Sequence, residues 1–458
     1  MNAIIAALAI IIAITVGLTV KGGAGAALLC FAVSVPAAML IGRVREHRLF
    51  LLQIFAAGLL VRVLIGTVIF TLGLQDFFGG DALTYDTLGN ALAQWMRGER
   101  ASVLFLQGQM QAGGGWGMIY VVGVIYVVLG RNMLAVQFFN AVIGAATAPV
   151  IFLCAQRIFG NLRTAKLAAF CVAFYPSLVL WSSQGLKDGP VVFLLALAML
   201  ATLELGGRFS AKYLAVLVFA LGAIITLRFY VFYMLVAAIG GAFLVGMRPQ
   251  QGMQGLLRQV AIVAALGLSL TYLGVLRTAG SRLQTFGSLE AVQRSRADNA
   301  ERAESGFGQD VDVSTTGGAL SILPIGFVYL LFAPFPWQVA NLRQSITIPE
   351  MIIWWGSFPL LVLGVWFTLK YRLRHALPIL LFTGMLTLAY SLFQGNIGTA
   401  YRQRAQLLVF YFIFVAAGAV LLKERQESRR RSSAAAKAAA AEGWRAAQAR
   451  RRYELWKG

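Results

Sequence analysis

Histidine and cysteine are nearly missing from this chain, with two of one and three of the other in 458 residues. Cys30, Cys154 and Cys171 stand inside apolar runs, where a free thiol packs as a small hydrophobe, and no disulfide framework or zinc spacing is present. His47 and His375 sit in the basic stretches "RVREHR" and "KYRLRH". Charge is scarce too: 12% of residues are charged, against roughly 25% in ordinary soluble domains. That shortage excludes a soluble enzyme. Chemistry outside the apolar segments then falls to carboxylates, hydroxyls and cations, because imidazole is not available there.

What the chain has instead is hydrophobic surface, 59% of its residues. Apolar runs of a length that crosses a bilayer as helix recur from end to end. They are continuous and not alternating, which excludes a β-barrel. The fold class is all-α, a polytopic membrane helical bundle. The first run, "NAIIAALAIIIAITVGLTV", lacks a basic leader and a small-residue cleavage site, so it reads as a first spanning helix and not as a signal peptide. The net charge of +21 does not imply nucleic acid, since most Lys and Arg lie in short loops and in the tail at 423–458. That tail reads as a basic, Ala-rich helix lying on anionic cytoplasmic lipid, with a cytosolic partner as the alternative.

Short basic loops set the orientation. "RVREHR" and the tail go to the cytoplasm, and crossings near 3–20, 23–42 and 49–73 bring an outer loop, 75–115, to the far side. The run 116–130 is short; if it crossed, Arg157, Arg163, Lys166, Arg208, Lys212, Arg248 and Arg258 would all fall outside, so a re-entrant or partly embedded segment is expected. Pro324, Pro334 and Pro336 make 317–338 a broken helix. Crossings near 132–153, 167–183, 189–206, 212–227, 230–247, 259–275, 350–369, 376–393 and 405–422 bring the expectation to about 12, or 14 if both doubtful segments span. The membrane domain is 1–422, with a second outer polar loop at 276–318.

This threading gathers Asp81, Asp86, Lys187, Asp188, Arg228, Arg402 and Arg404 on the outer face. In "DALTYDTLGNALAQWMR", Leu83, Leu88, Leu92 and Trp95 recur near a helical turn, and Asp86, Asn90, Gln94 and Arg97 oppose them, so an amphipathic helix along the surface is expected. Taken singly, each acid has a plain use. Asp81 suits an N-cap, Asp86 suits solvent, and Asp188 before Gly189-Pro190 complements a helix dipole. Lys187 can snorkel. Arg62, inside its segment, calls for a buried structural partner, and Arg228 for an outer turn that binds an anion. Arg402 and Arg404, in "NIGTAYRQRAQ", violate the usual charge bias, which suits either a phosphate, matched by the guanidinium fork, or an outer-leaflet headgroup.

The order of "GGDALTYDTLG", then "IYVVLGRNMLAVQFFNAVIGAATAPVIFLCAQRIFG", then "AKLAAFCVAFYPSLVLWSSQGLKDGPVVFLLALAML" resembles the polytopic glycosyltransferases of the GT-C class. The relatives meant are the bacterial kin of protein O-mannosyltransferases and of the lipid A aminoarabinose transferase. The likeness runs over residues 75–210, within a family-like region of 49–210, with echoes in "RFY" and "GTAYRQR". Two crossings precede the helix that would be first in the family, and Asp81-Ala82 stands where an acidic pair is often seen. The resemblance implies a GT-C-like fold and a sugar donor carried on polyprenyl phosphate, with a glycan, lipid or protein acceptor. It implies catalysis by Asp81, matched with Tyr85, and a second acid at Asp188. Tyr85, Asp86, Lys187, Arg228, Tyr401, Arg402 and Arg404 become substrate-binding candidates, several of them phosphate clamps. Asp188 would orient the acceptor or hold a divalent cation with Asp81, and oxygen ligands would favour Mg²⁺ or Mn²⁺ over zinc. The aromatic run "FPWQ" is a candidate sugar-stacking surface, and equally an interfacial anchor. The expected place is the bacterial inner membrane with the active face outward. Rival readings are a polymerase or ligase for lipid-linked repeats, and a flippase for the same lipids.

Overall fold

The computed structural model describes residues 2–78, 80–99, 116–246, 264, 267–268, 271, 288–301, 306–308, 311–339 and 341–457. Helix follows helix: α1 (Asn2–Thr19), α2 (Gly23–Gly42), α3 (Arg48–Thr71), α4 (Asp81–Met96), α5 (Gly117–Leu129), α6 (Met133–Phe159), α7 (Leu162–Phe174), α8 (Pro176–Ser182) and α9 (Asp188–Gly207). Then come α10 (Ala211–Leu227), α11 (Phe229–Gly246), α12 (Leu289–Glu301), α13 (Thr316–Phe332), α14 (Ile348–Tyr371), α15 (Leu373–Phe393), α16 (Ile397–Gln403) and α17 (Ala405–Lys457). No strand forms among the described residues; Gly306 and Asn396 make an isolated bridge. The chain is an all-α, multi-pass membrane protein. Seven described helices (α2, α3, α6, α9, α14, α15, α17) are long and apolar enough to cross a bilayer, or eight if the bent pair α7–α8 counts as one. α1, α5, α10, α11 and α13 are shorter apolar helices. The crossing expected at 259–275 and most of the 276–318 loop lie outside the described residues.

The bundle has two chemically distinct ends. At one, Lys166 lies over the Phe50 ring, His47 meets Phe152, Arg157 faces Glu204 at 3.7 Å, and Arg163 pairs with Glu427 at 2.9 Å. At the other, Asn132 donates to Gly22 O at 2.8 Å, Gly117 packs on Thr226, and Asn140 reaches the 184–186 loop. The first Cβ neighbours of Gly117 are at α10's last turn, while Leu129, at the far end of α5, lies by Gly25 in α2's first turn. Both ends of α5 therefore sit at the same end of the bundle, and its 13 residues lie along that end. The middle of α13 meets the last turn of α15: Gly326 packs on Ser391 O, and Ile322 clusters with Leu392 and Phe393.

The expected straight crossing at 167–183 is bent instead, by 54° at Tyr175-Pro176. Proline has no N–H to give, and the residue before it is driven to extended backbone; Tyr175 sits at φ −66, ψ 126. The carbonyls thus orphaned are met by Arg62, which donates to Ala173 O at 2.8 Å, Val172 O at 3.4 Å and Ser182 Oγ at 2.8 Å. Its partner is broken backbone, and no anion is needed to explain its burial. Arg296 does the same for Gln394 O (2.6 Å) and Phe307 O (2.9 Å).

Close helix contacts are made through glycine, as expected where lipid offers no hydrophobic drive between helices. A Cβ on Gly364 in α14 would stand 1.9 Å from Phe414 O, and one on Gly418 in α17 would stand 2.1 Å from Leu360 O. Gly418→Val should therefore force these helices apart, at a cost of about 1–3 kcal/mol. The check is a lowered thermal midpoint in detergent.

Two expectations are corrected. The apolar stripe on α4 accounts for only part of its buried face. Of that stripe Leu88 and Leu92 are buried and Leu83 and Trp95 are exposed, while Ala82, Asp86, Gly89 and Ala93 are buried too, because Gly89 lets Val122 and Gly123 of α5 come into contact. The basic tail, in turn, does not leave the last span to lie along a surface. It continues α17 as one unbroken helix, exposed almost throughout, whose last 35 residues run about 50 Å. Alanine, arginine, lysine, glutamine and glutamate all favour helix, so nothing in the composition ends it.

Candidate active site

Asn140, buried in α6, builds the loop that carries the site. Its amide donates to Gln184 O at 2.6 Å and Leu186 O at 2.7 Å, which fixes the chain just before Lys187 and Asp188. Asp188 opens α9, where the helix dipole favours an anion. It is 2% exposed, and two arginines divide its oxygens. Arg228, between α10 and α11, reaches Oδ1 at 2.6 Å. Arg402 on α16 reaches Oδ2 through Nε at 2.7 Å. Arg402 also extends Nη1 to Asp81 Oδ2 at 2.7 Å. One guanidinium therefore ties both carboxylates together at a single end of the bundle. Asp81 does not cap its helix; Gly80 is the cap residue, and Asp81 is the first helical residue.

The cations keep capacity to spare. Arg228 Nε and Arg402 Nη2 are buried without a hydrogen-bond partner, although Nη2 lies 2.6 Å from Asp188 Oδ2. Lys187 makes no ion pair among the described residues, and its ammonium is pushed down to about 8, by burial first and then by Arg228. Tyr85, half-buried, has its hydroxyl held protonated above the ordinary phenol range by burial and then by Asp81. Three cations face two carboxylates, so the cluster carries spare positive charge and unmet donors. That is the arrangement an anion completes.

Other expected members lie elsewhere. Asp86 is buried, not solvated; it accepts from Tyr126 in a short contact and from Arg131 at 2.5 Å, bracing α4 against α5. Arg404 is 1% exposed and is spent on Leu331 O at 3.1 Å and on Ala333 O, carbonyls freed where α13 ends before Pro334. Its two terminal nitrogens are thus turned to backbone carbonyls and not to Asp81 or Asp188, while its Nε is buried without a hydrogen-bond partner. Tyr401 donates to Glu350 at 2.8 Å and does not face the cluster's acids. These two residues hold α16, and with it Arg402, whose guanidinium also lies 5.8 Å over Trp181. Within "FPWQ", Trp337 is 77% exposed and stacks on Phe335 at 5.1 Å.

Asn140, Glu350 and Trp181 escaped the reading of the sequence. An asparagine inside the apolar "FFNAVIG", and a lone acid opening "PEMIIWWG", were the available signals. For a divalent cation the fit is poor. The Arg402 guanidinium occupies the space between Asp81 and Asp188, and the described residues offer no group of three metal-ligating side chains.

Residues 116–277, about a third of the chain, match the family model of dolichyl-phosphate-mannose-protein mannosyltransferases. This stretch resembles that GT-C family. The match takes in Lys187, Asp188 and Arg228, and leaves Asp81 and Arg402 outside it. The likeness supports a membrane glycosyltransferase of GT-C type. No curated protein matches the chain. Among solved structures, an archaeal oligosaccharyltransferase, AglB from Archaeoglobus fulgidus, in complex with an inhibitory peptide and a dolichol-phosphate, is similar at 14% identity and a TM-score of 0.41. The similarity covers 70% of this chain and 44% of that one, so the chain spans less than half of that protein's length.

Proposed function

We propose that this protein moves a sugar from a polyprenyl-phosphate donor to a cell-envelope glycan, lipid or protein acceptor, at the outer face of a bacterial inner membrane. One observation carries the reading: Asp81 and Asp188 are joined through Arg402 at one end of the bundle, with Arg228 and Lys187 beside them. The opposite end bears Arg157, Arg163, Lys166 and the basic tail, which the positive-inside rule assigns to the cytoplasm.

Asp81, 53% exposed at its side chain, is the base. As the acceptor oxygen bonds to the anomeric carbon, the bond from that carbon to the phosphate oxygen breaks. The hydroxyl proton passes to Asp81, and polyprenyl phosphate leaves with the electron pair. Arg228, Arg402 and Lys187 take up the growing charge on phosphate. Asp188, enclosed by arginine, holds those cations in place and does not exchange a proton.

The test is transfer by the purified full chain in nanodiscs, supplied with polyprenyl phosphates carrying different hexoses and pentoses and with membrane extract as acceptor. Release of polyprenyl phosphate together with sugar on an acceptor supports the reading. Lipid movement between leaflets without bond cleavage would replace it with a flippase.

Two further outcomes follow. Arg402 takes the place between the acids, so excess EDTA should leave transfer unchanged; a loss that Mg²⁺ or Mn²⁺ restores would contradict this. Donor affinity should also fall as pH rises past about 8. Below that value Lys187 is charged and meets the phosphodiester, whose own charge is fixed there. Above it the folded chain loses that proton, and affinity drops by up to about tenfold per pH unit. The folding penalty for burying the charged amine runs the other way: it is full below about 8 and gone above the ordinary lysine value of 10.5. Lys187→Met should flatten the affinity profile, measured by titration at pH 7 to 9.5.

A further inference from the structure

Arg402 is the member of the cluster with two commitments of unequal strength. Its Nε, with Nη2 close by, meets Asp188, which is 2% exposed and held from its other side by Arg228. Its Nη1 meets Asp81, whose side chain is 53% exposed while that of Arg402 is 16% exposed. The inner contact is an anchored, desolvated pair, and the outer one is the contact that water and ligands can reach. With no donor present, that bond occupies the carboxylate oxygen of the exposed acid. The same cluster holds the Lys187 ammonium and a buried Arg228 Nε without a hydrogen-bond partner.

We propose that Arg402 hands over between two anions: it holds Asp81 while no donor is bound, and passes its Nη1 edge to the donor phosphate when one arrives, freeing Asp81 to accept the acceptor's proton. The base then becomes competent only when a leaving group is seated, which limits idle turnover. The inner pair with Asp188 does not open, so the guanidinium pivots and does not depart. The inference rests on the polyprenyl-phosphate reading above, and adds to it that Asp81 and phosphate compete for one guanidinium edge.

Competition for a shared group is visible in a double-mutant cycle. The probe is undecaprenyl phosphate, titrated against the full chain in nanodiscs at fixed pH and salt. Asp81→Asn should tighten its binding by about three- to tenfold in the wild-type background. In an Arg402→Gln background the same substitution should change affinity by less than about twofold, since there is no fork left to release. Through-space repulsion alone would give equal tightening in both backgrounds, and that result overturns the handover, as does an Asp81→Asn affinity equal to wild type. Should Arg402→Gln fail to fold, judged by its thermal midpoint, Arg402→Lys takes its place, because it keeps the charge and lacks the fork; the same two outcomes decide. A wild-type chain that binds no undecaprenyl phosphate overturns the underlying reading and the handover with it, whereas normal wild-type binding without the cycle effect removes the handover alone.

Discussion

Asp81→Asn should lower glycosyl transfer by about 10²–10⁴-fold, the range a positioned general base supplies, while leaving the chain folded and able to hold polyprenyl phosphate. Asparagine keeps the shape and the first-turn position of α4 but has no proton affinity to offer. The side chain is 53% exposed and makes one ion pair among the described residues, with Arg402, so the fold has little invested in it; exposed pairs contribute only about 0–1 kcal/mol. Activity and stability should thus separate in this variant. The check is the initial rate of polyprenyl phosphate release set beside the thermal midpoint. A rate within a few-fold of wild type removes Asp81 as base.

Asp188→Ala should behave in the opposite way, with stability as its first casualty. Arg228 and Asp188 are 5% and 2% exposed, and Arg402 leans on the same carboxylate. Removing one partner from a buried ionic group leaves uncompensated charge and costs about 3–5 kcal/mol. Here the loss would leave Arg228, Arg402 and Lys187 repelling one another at the mouth of the bundle. The midpoint in detergent should drop sharply, and inorganic pyrophosphate should restore part of it by standing in for the missing negative charge. Asp188→Asn should fall nearly as far, since it keeps the volume and loses the charge. A midpoint equal to wild type would mean that the arginines have other anchors.

Much of this was readable in the residues, and the divide follows a physical line. Apolar runs announce helices because a bilayer demands internally satisfied backbone over a fixed length. Counting crossings then places Asp81, Lys187, Asp188, Arg228 and Arg402 at one end, where the structure has them, because that inference needs only direction. What could not be read were questions of facing. Whether Asp86 met water or Arg131 depended on Gly89 admitting α5. Arg402 lies in the last turn of α16 and Arg404 is the residue that caps it, and only the position of the α13 carbonyls sends Arg404 inward and leaves Arg402 for the acids. The bend at Pro176 carried a local signal, yet its consequence, the recruitment of Arg62 from α3, is a long-range contact. Within this bundle a buried arginine is more often a cap for broken backbone than a ligand site. Arg62, Arg296 and Arg404 are all of that kind, and Arg228 and Arg402 stand out by facing carboxylates.

The central claim is that the phosphate of a polyprenyl donor sits among Lys187, Arg228 and Arg402. A polyprenyl phosphate with a photoreactive diazirine on the first isoprene unit, irradiated on the full chain in nanodiscs and mapped by peptide mass spectrometry, tests it directly. The account predicts label on α4, on the 183–188 loop and on α16, lost on competition with unlabelled polyprenyl phosphate. Competable label concentrated around Arg157, Arg163 and Lys166 at the opposite end would contradict it.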